Sequence, residues 1–154
     1  MWQYKFKSKI GMLYLVASQN ALHQVSLDEQ DIPLIKSLND SEVLTQTVHQ
    51  LEEYFSGKRK VFDLPLDPIG SKFQKKVWDK LNKIPFGKTC SYKDIAIQIK
   101  QEKACRAVGN ANGKNPICII IPCHRVIASG GGLGGYSGGL DIKIKLLRLE
   151  QTNL

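Results

Sequence analysis

No run of apolar residues in this chain approaches the ~20 needed to span a bilayer. The longest, from Ile117 to Ile121, has the length of a strand. Residues 1–89 contain no cysteine, which leaves that part without a thiolate zinc site or a disulfide. The four cysteines, Cys90, Cys105, Cys118 and Cys123, lie in the second half and, without a secretory context, read as thiols. Histidine is scarce: His23, His49 and His124. Acidic residues thin out along the chain, and that shortage is informative.

Residues 1–68 hold 7 Lys+Arg against 9 Asp+Glu, a net −2, while residues 69–154 hold 15 against 5, a net +10. The change falls at Leu64-Pro65-Leu66-Asp67-Pro68, where two prolines argue for a linker. A neutral or acidic module followed by a strongly basic one implies that the second meets a polyanion. The remaining numbers are ordinary: 154 residues, 42% apolar and 23% charged, enough for one or two folded domains and too apolar for a disordered chain.

Lys5, Lys7 and Lys9 ahead of Ile10 to Ala17 superficially resemble a signal peptide. Trp2, Tyr4 and Phe6 alternate with Gln3, Lys5 and Lys7, however, the period of a half-buried strand. Gly11 permits a turn, Met12 to Ala17 reads as a second strand and Ala21 to Leu27 as a third. This predicts a β-meander and a cytoplasmic protein. Leu44, Val48, Leu51 and Phe55 then repeat at helical spacing, Gly57 supplies a stop, and Val61 to Leu66 reads as a returning strand.

The basic half changes character. Phe73, Val77 and Leu81 form one stripe of a helix from Ser71 to Asn82, with Lys72, Lys75, Lys76 and Lys80 around it. Ser91 is placed to cap the next helix, with Asp94 at its third position and Ile95, Ala96 and Ile99 along it. After a break at Lys100-Gln101-Glu102, a helix from Lys103 to Asn112 is rich in Ala and Gly. Two short helices, the second small-faced and led by Lys103 and Arg106, read as a helix-turn-helix; a packed helical hairpin is the plainer alternative.

Ile117 to Ile121 reads as a buried strand that delivers Pro122-Cys123-His124-Arg125. The thiolate is the nucleophilic form of cysteine, and a neighbouring histidine can take its proton while Arg125 and nearby basic charge favour the anion. Adjacent residues on an extended chain point to opposite faces, so His124 reaches the sulfur only if the backbone bends at Cys123 or a water bridges them. Glu150, on the last helix, is placed to orient the imidazole. Cys118, among isoleucines, reads as a small buried hydrophobe. A metal site from Cys118, Cys123 and His124 lacks the usual spacings and a fourth ligand.

Seven of the 13 glycines fall between Gly130 and Gly139. Gly130, Gly132 and Gly135 match a dinucleotide fingerprint, but no βαβ unit surrounds them. Gly135 to Gly139 match a hydrolase elbow around Ser137, but no histidine follows. What is left is a glycine loop carrying Tyr136 and Ser137, suited to close approach of backbone to a ligand or serving as a plain connector.

Arg106-Ala107-Val108-Gly109-Asn110, Asn115-Pro116, Ile121-Pro122-Cys123-His124-Arg125-Val126 and Gly135-Tyr136-Ser137-Gly138-Gly139-Leu140 together resemble the O6-alkylguanine-DNA alkyltransferases, from about Ser71 to Glu150. The resemblance implies an α/β two-domain fold. Residues 1–68 would form a small antiparallel sheet with a helix, ribonuclease-H-like, and residues 69–154 a helical domain with a winged helix-turn-helix. It implies that Cys123 accepts an alkyl group, that His124 removes its proton through a water, and that Glu150 holds His124. Asn115 would be a hinge, Tyr92 would protonate or hydrogen-bond guanine N3, and Tyr136, Ser137 and Gly138 would close over the base beside Pro122. Arg106 would fill the gap left by a flipped nucleotide, with Lys103, Ala107, Gly109, Asn110 and Arg125 at the DNA.

The expected partner is double-stranded DNA carrying O6-alkylguanine, bound by a monomer without metal or cofactor. O4-alkylthymine is a second expected substrate. A damaged base is cheaper to turn out of the duplex, and small residues suit entry into a minor groove. No second nucleophile is present to regenerate the sulfur, which implies one turnover. Asn112 stands where the family often has a more apolar residue lining the base pocket. The competing readings are a non-enzymatic helix-turn-helix sensor or regulator, whose DNA binding would survive Cys123→Ser, and a thiol hydrolase.

Overall fold

A computed structural model describes residues 1–154. The chain divides into two compact units, residues 1–69 and 70–152. In the first, β1 (Trp2–Ser8), β2 (Gly11–Ala17) and β3 (Leu22–Ser26) form an antiparallel meander in the order β1-β2-β3. Gly11, at φ +119, makes the first turn, a conformation costly for any residue with a Cβ. Leu13, Leu15, Leu22 and Val25 are fully buried, as are Leu44, Leu51 and Tyr54 of α1 (Glu42–Phe55). Helix α1 starts where Ser41 accepts a hydrogen bond from the Leu44 amide at 3.1 Å, and Gly57 turns away at φ +80 after its end.

Burial along β1 departs from simple alternation: Phe6 is buried, but Trp2 is 43% exposed and Gln3 only 1%. The cause is the open edge of the sheet. The Gln3 amide donates to the Gln30 and Ile32 carbonyls (3.0 and 3.1 Å) and accepts from the Gln30 N–H (2.8 Å), lashing residues 30–35 along it. An exposed edge strand is thereby covered. Val61 to Leu66, expected as a strand, forms only a bridge between Leu66 and Leu22, because its backbone pairs at two points alone: the Leu22 N–H to the Pro65 carbonyl and the Asp67 N–H to the Leu22 carbonyl.

The second unit is helical. Helix α2 (Lys72–Leu81) opens with a capping box between Ser71 and Gln74 and buries Val77, Trp78 and Leu81. The Trp78 indole donates to the Ala111 carbonyl at 2.8 Å, joining α2 to α4 (Cys105–Gly113). Between them α3 (Tyr92–Gln98) is capped by Ser91, whose hydroxyl accepts from the Asp94 N–H while the Asp94 carboxylate accepts from the Ser91 N–H. Ile95, Ala96, Val108 and Ala111 are buried where α3 and α4 pack as a helix-turn-helix. Lys103 lies before α4 rather than on it, since Ala104 is the N-cap. A two-residue parallel ladder, β4 (Cys90–Ser91) with β5 (Val126–Ile127), and α5 (Leu140–Thr152) complete the unit.

Ile117, Ile119, Ile120 and Ile121 are buried and Cys118 is half-buried, but the run is not a strand. Asn115 brackets it, accepting from the Ile117 N–H at 3.0 Å and donating to the Ile121 carbonyl at 2.7 Å. The Ile121 N–H also reaches the Ile117 carbonyl at 3.0 Å, so the run coils into tight turns. Ile119 sits at φ 73, left-handed backbone that β-branched residues rarely adopt.

Candidate active site

This coiled segment feeds a single 3-10 turn, Cys123–Arg125, with the Arg125 N–H on the Pro122 carbonyl at 3.0 Å. The bend at Cys123 lets consecutive side chains enter one interior: Pro122, Cys123, His124 and Arg125 are all buried. His124 is completely so, and its Nε2 lies 2.6 Å from Oε2 of Glu150, itself 1% exposed. A carboxylate only accepts, so Nε2 carries the proton and Nδ1 is left as a bare acceptor with no protein partner. Burial holds the His124 pKa below its ordinary 6.5, against the opposing pull of Glu150. The imidazole is therefore neutral at pH 7, the form in which Nδ1 can receive a proton.

Burial also dominates at Cys123, raising its pKa above that of a free thiol. Hydrogen bonds from Asn115 and Tyr136 and the charge of Lys143 oppose the shift without cancelling it. The resting sulfur is thus a protonated thiol, contrary to the expectation of a thiolate favoured by Arg125. The guanidinium of Arg125 is engaged elsewhere. It donates from Nε to Oε1 of Glu150 (2.8 Å), from Nη2 to Oε2 (3.1 Å) and from Nη1 to the Ile84 carbonyl (2.7 Å), 5.7 Å from the Phe86 ring centre. At 6% exposure Arg125 is turned into the interior and is not presented to DNA, against the expectation that it lies there.

Lys143, which drew no expectation from the sequence, also belongs to this site. Its ammonium, on a side chain 0% exposed, donates to the carbonyls of Val126, Leu133 and Gly135. Three acceptors require three N–H groups, hence the charged form. It ties the glycine loop to α5 and sets positive charge beside Cys123. The available signal was its position: Lys143, Leu146 and Glu150 lie on the buried stripe of α5.

The remaining expected residues divide by exposure. Tyr92, half-buried at the start of α3, faces the Gly134 backbone so closely that a Cβ there would lie 2.8 Å from its hydroxyl. Burial raises its pKa, a hydrogen bond with the Gly135 backbone lowers it, and Cys123 is near enough to raise it further. Tyr136 meets Cys123, whereas Ser137 is exposed and Gly138 half-buried. Arg106, Ala107 and Asn110 form an exposed stripe of α4, Lys103 is exposed ahead of it, and Gly109 is half-buried beside the Tyr92 ring.

Comparison with known proteins agrees with this division into a small sheet domain and a helical domain. Residues 1–68 match the ribonuclease-like domain, and residues 72–152 the DNA binding domain, of 6-O-methylguanine DNA methyltransferase. A methylated-DNA–protein-cysteine methyltransferase of Methanosarcina barkeri is 47% identical over 152 residues, 96% of each chain. One from Mycolicibacterium paratuberculosis is 44% identical, over 95% of this chain and 90% of its own. The Mycobacterium tuberculosis OGT solved in complex with DNA superposes with a TM-score of 0.90 at 42% identity, covering 99% of this chain and 94% of that one. The chain belongs to the 6-O-methylguanine DNA methyltransferase family.

Proposed function

We propose that this protein repairs double-stranded DNA by transferring an alkyl group from O6 of guanine, and from O4 of thymine, irreversibly to Cys123. The observation that carries the reading is the buried Glu150–His124 pair, whose Nδ1 has no partner in the protein and whose chain neighbour, Cys123, is a buried thiol. In the transfer, His124 takes the thiol proton through a water, and Lys143 and Tyr136 stabilise the sulfur anion as it forms. The anion attacks the alkyl carbon, a C–S bond replaces the C–O6 bond, and the electron pair passes into the guanine ring. Tyr92 hydrogen-bonds guanine N3 and supports protonation there. The product is a thioether with no nucleophile nearby to cleave it, so each molecule acts once.

Cys123 is only 2% exposed, so a base reaches it when the loop of Tyr136, Ser137 and Gly138 moves aside, with Asn115 as the hinge of the turn beneath. Arg106, Lys103, Ala107, Gly109 and Asn110 present the small-faced side of α4 to a minor groove, and Arg106 occupies the place of the flipped nucleotide. The surplus of lysines supplies phosphate contacts, as sequence-independent repair requires. The protein works as a cytoplasmic monomer. Intact and peptide mass measured after incubation with duplex DNA containing O6-methylguanine is expected to show one methyl on the Cys123 peptide. An unmodified protein after complete exposure to the lesion refutes the reading.

A further inference from the structure

Cys118 was expected as a small buried hydrophobe, yet it is half-buried and lies five residues before Cys123. Drawn out, five residues of chain span about 17 Å, whereas a disulfide needs Cα atoms within about 7 Å of each other. The chain between these two sulfurs is not drawn out. The Ile120 N–H reaches the Cys118 carbonyl at 2.8 Å across Ile119, which sits at φ 73. The Cys123 N–H reaches the Ile121 carbonyl at 2.8 Å across Pro122, at φ −81 and ψ 65. These are two γ-turns, the first of the rare and strained kind, so the chain doubles back twice between one cysteine and the next.

Asn115 draws the ends together. Its amide accepts from the Ile117 N–H, next to Cys118, donates to the Ile121 carbonyl and hydrogen-bonds the Cys123 sulfur. Burial raises the Cys118 pKa first and the nearby Cys123 raises it second, so each sulfur lies in the other's field. The proposed transfer makes no use of Cys118, and it uses Cys123 only once. A sulfur held ready for a single reaction is exposed to a competing fate. Oxidised to a sulfenic acid and left there, it goes on to sulfinic and sulfonic acids that are not reduced back.

We propose that Cys118 is a resolving thiol: in the presence of a hydroperoxide it forms a reversible disulfide with Cys123 that keeps the acceptor from irreversible oxidation and, while it lasts, from its substrate. Cys123 gives its proton to His124, and the sulfur attacks the hydroperoxide ROOH. An S–O bond forms, the O–O bond breaks, and the departing alkoxide takes up a proton as ROH. The Cys118 sulfur then attacks the sulfenic sulfur; an S–S bond replaces the S–O bond, and hydroxide leaves with the Cys118 proton as water. Two thiols lose one electron each and one hydroperoxide is reduced. The effect on substrate rests on the alkyl-transfer reading; the disulfide itself does not.

Lys114 and Arg125 bound a tryptic peptide, residues 115–125, that contains Cys118 and Cys123 and neither of the other cysteines. After treatment with hydrogen peroxide and alkylation of free thiols under denaturing conditions, the native protein is expected to yield this peptide two hydrogens lighter, with neither cysteine alkylated. Methyl transfer from O6-methylguanine duplex is expected to be lost and to return with dithiothreitol. Cys118→Ala, compared with its own untreated rate, is expected to accumulate sulfinic or sulfonic acid at Cys123 and to lose transfer beyond recovery by dithiothreitol. Cys118→Ser serves the same comparison if the alanine variant does not fold. Overoxidised Cys123 in the native protein, a disulfide to Cys90, Cys105 or a second chain, or a peptide with both thiols still free would overturn the proposal. So would full recovery of the Cys118 variants. Absence of transfer in untreated native protein removes the alkyl-transfer reading and leaves the peptide mass to decide the disulfide.

Discussion

The two units treat buried polar groups in opposite ways. In the first, Gln3, Ser41, Thr47 and Gln50 are buried and hydrogen-bonded: Gln3 to residues 30 and 32, Ser41 to the start of α1, Thr47 to the Val43 carbonyl, and Gln50 to both backbone groups of Asp63. These are neutral: Gln3 and Gln50 fasten loops to the sheet and to α1, and Ser41 and Thr47 serve α1 itself. In the second, the buried set is Asn112, His124, Arg125, Lys143 and Glu150, three of them ionic, and both unpaired atoms are there. Buried polar groups are normally satisfied, so the two exceptions set this unit apart from the first.

Four changes would sharpen or break that contrast. Cys123→Ser is expected to abolish methyl transfer, read as no mass gain on lesion DNA, while duplex binding persists by mobility shift. Glu150→Gln comes next. It leaves the Arg125 charge buried without its counter-charge, which costs about 3–5 kcal/mol in denaturant unfolding. In native protein, transfer is expected to decline as pH falls through the lowered pKa of His124, because the protonated imidazole cannot accept the thiol proton. Glu150 is what raises that pKa, so in Glu150→Gln the acid limb moves to still lower pH while the maximal rate drops.

The sign for stability follows from the same shift. Unfolded His124 binds a proton at its ordinary 6.5 and the folded residue resists it, so this contribution is intact above that pH and is lost as pH falls toward the folded value. Arg106→Ala is expected to reduce transfer from duplex DNA by about tenfold, one well-placed contact, and to leave reaction with free O6-benzylguanine unchanged. Equal loss on both would rule out a role in extruding the base. The smallest effect on transfer belongs to Gln3→Ala. It is expected to cost about 1–3 kcal/mol of stability by leaving backbone groups unpaired, with the rate constant unaltered.

Much of this was legible in the sequence because local physics and tertiary structure agree. Ser91 and Asp94 cap α3 by the hydrogen bonds their spacing allows, and the stripe of Leu44, Val48, Leu51 and Phe55 buries as α1. Glu150 was expected beside His124 from its place on the last helix and from the family resemblance, and the two are in contact. The failures come from positions where the pattern has two solutions. Ile117 to Ile121 is apolar enough for a strand, but a short apolar run buries as well in a turn, and the Asn115 amide selected the turn. Arg125 was expected beside the sulfur and at the DNA, and Lys143 drew no expectation, since nothing local announces that a carboxylate or three carbonyls will enclose them. Gln3 was read as the polar half of an alternation because the segment it binds is about thirty residues distant.

Glu150 makes contacts at both oxygens, reaching the Gly87 N–H at 3.0 Å as well as His124 and Arg125. Shortening it by one methylene would pull the carboxylate away from some of these groups, and neutralising it would strand a cation. On the proposed mechanism, integrity of the scaffold and competence of the chemistry therefore depend on one side chain. A lineage that drifts at this position forfeits both together, and selection acting on foldedness alone would keep the proton acceptor in place.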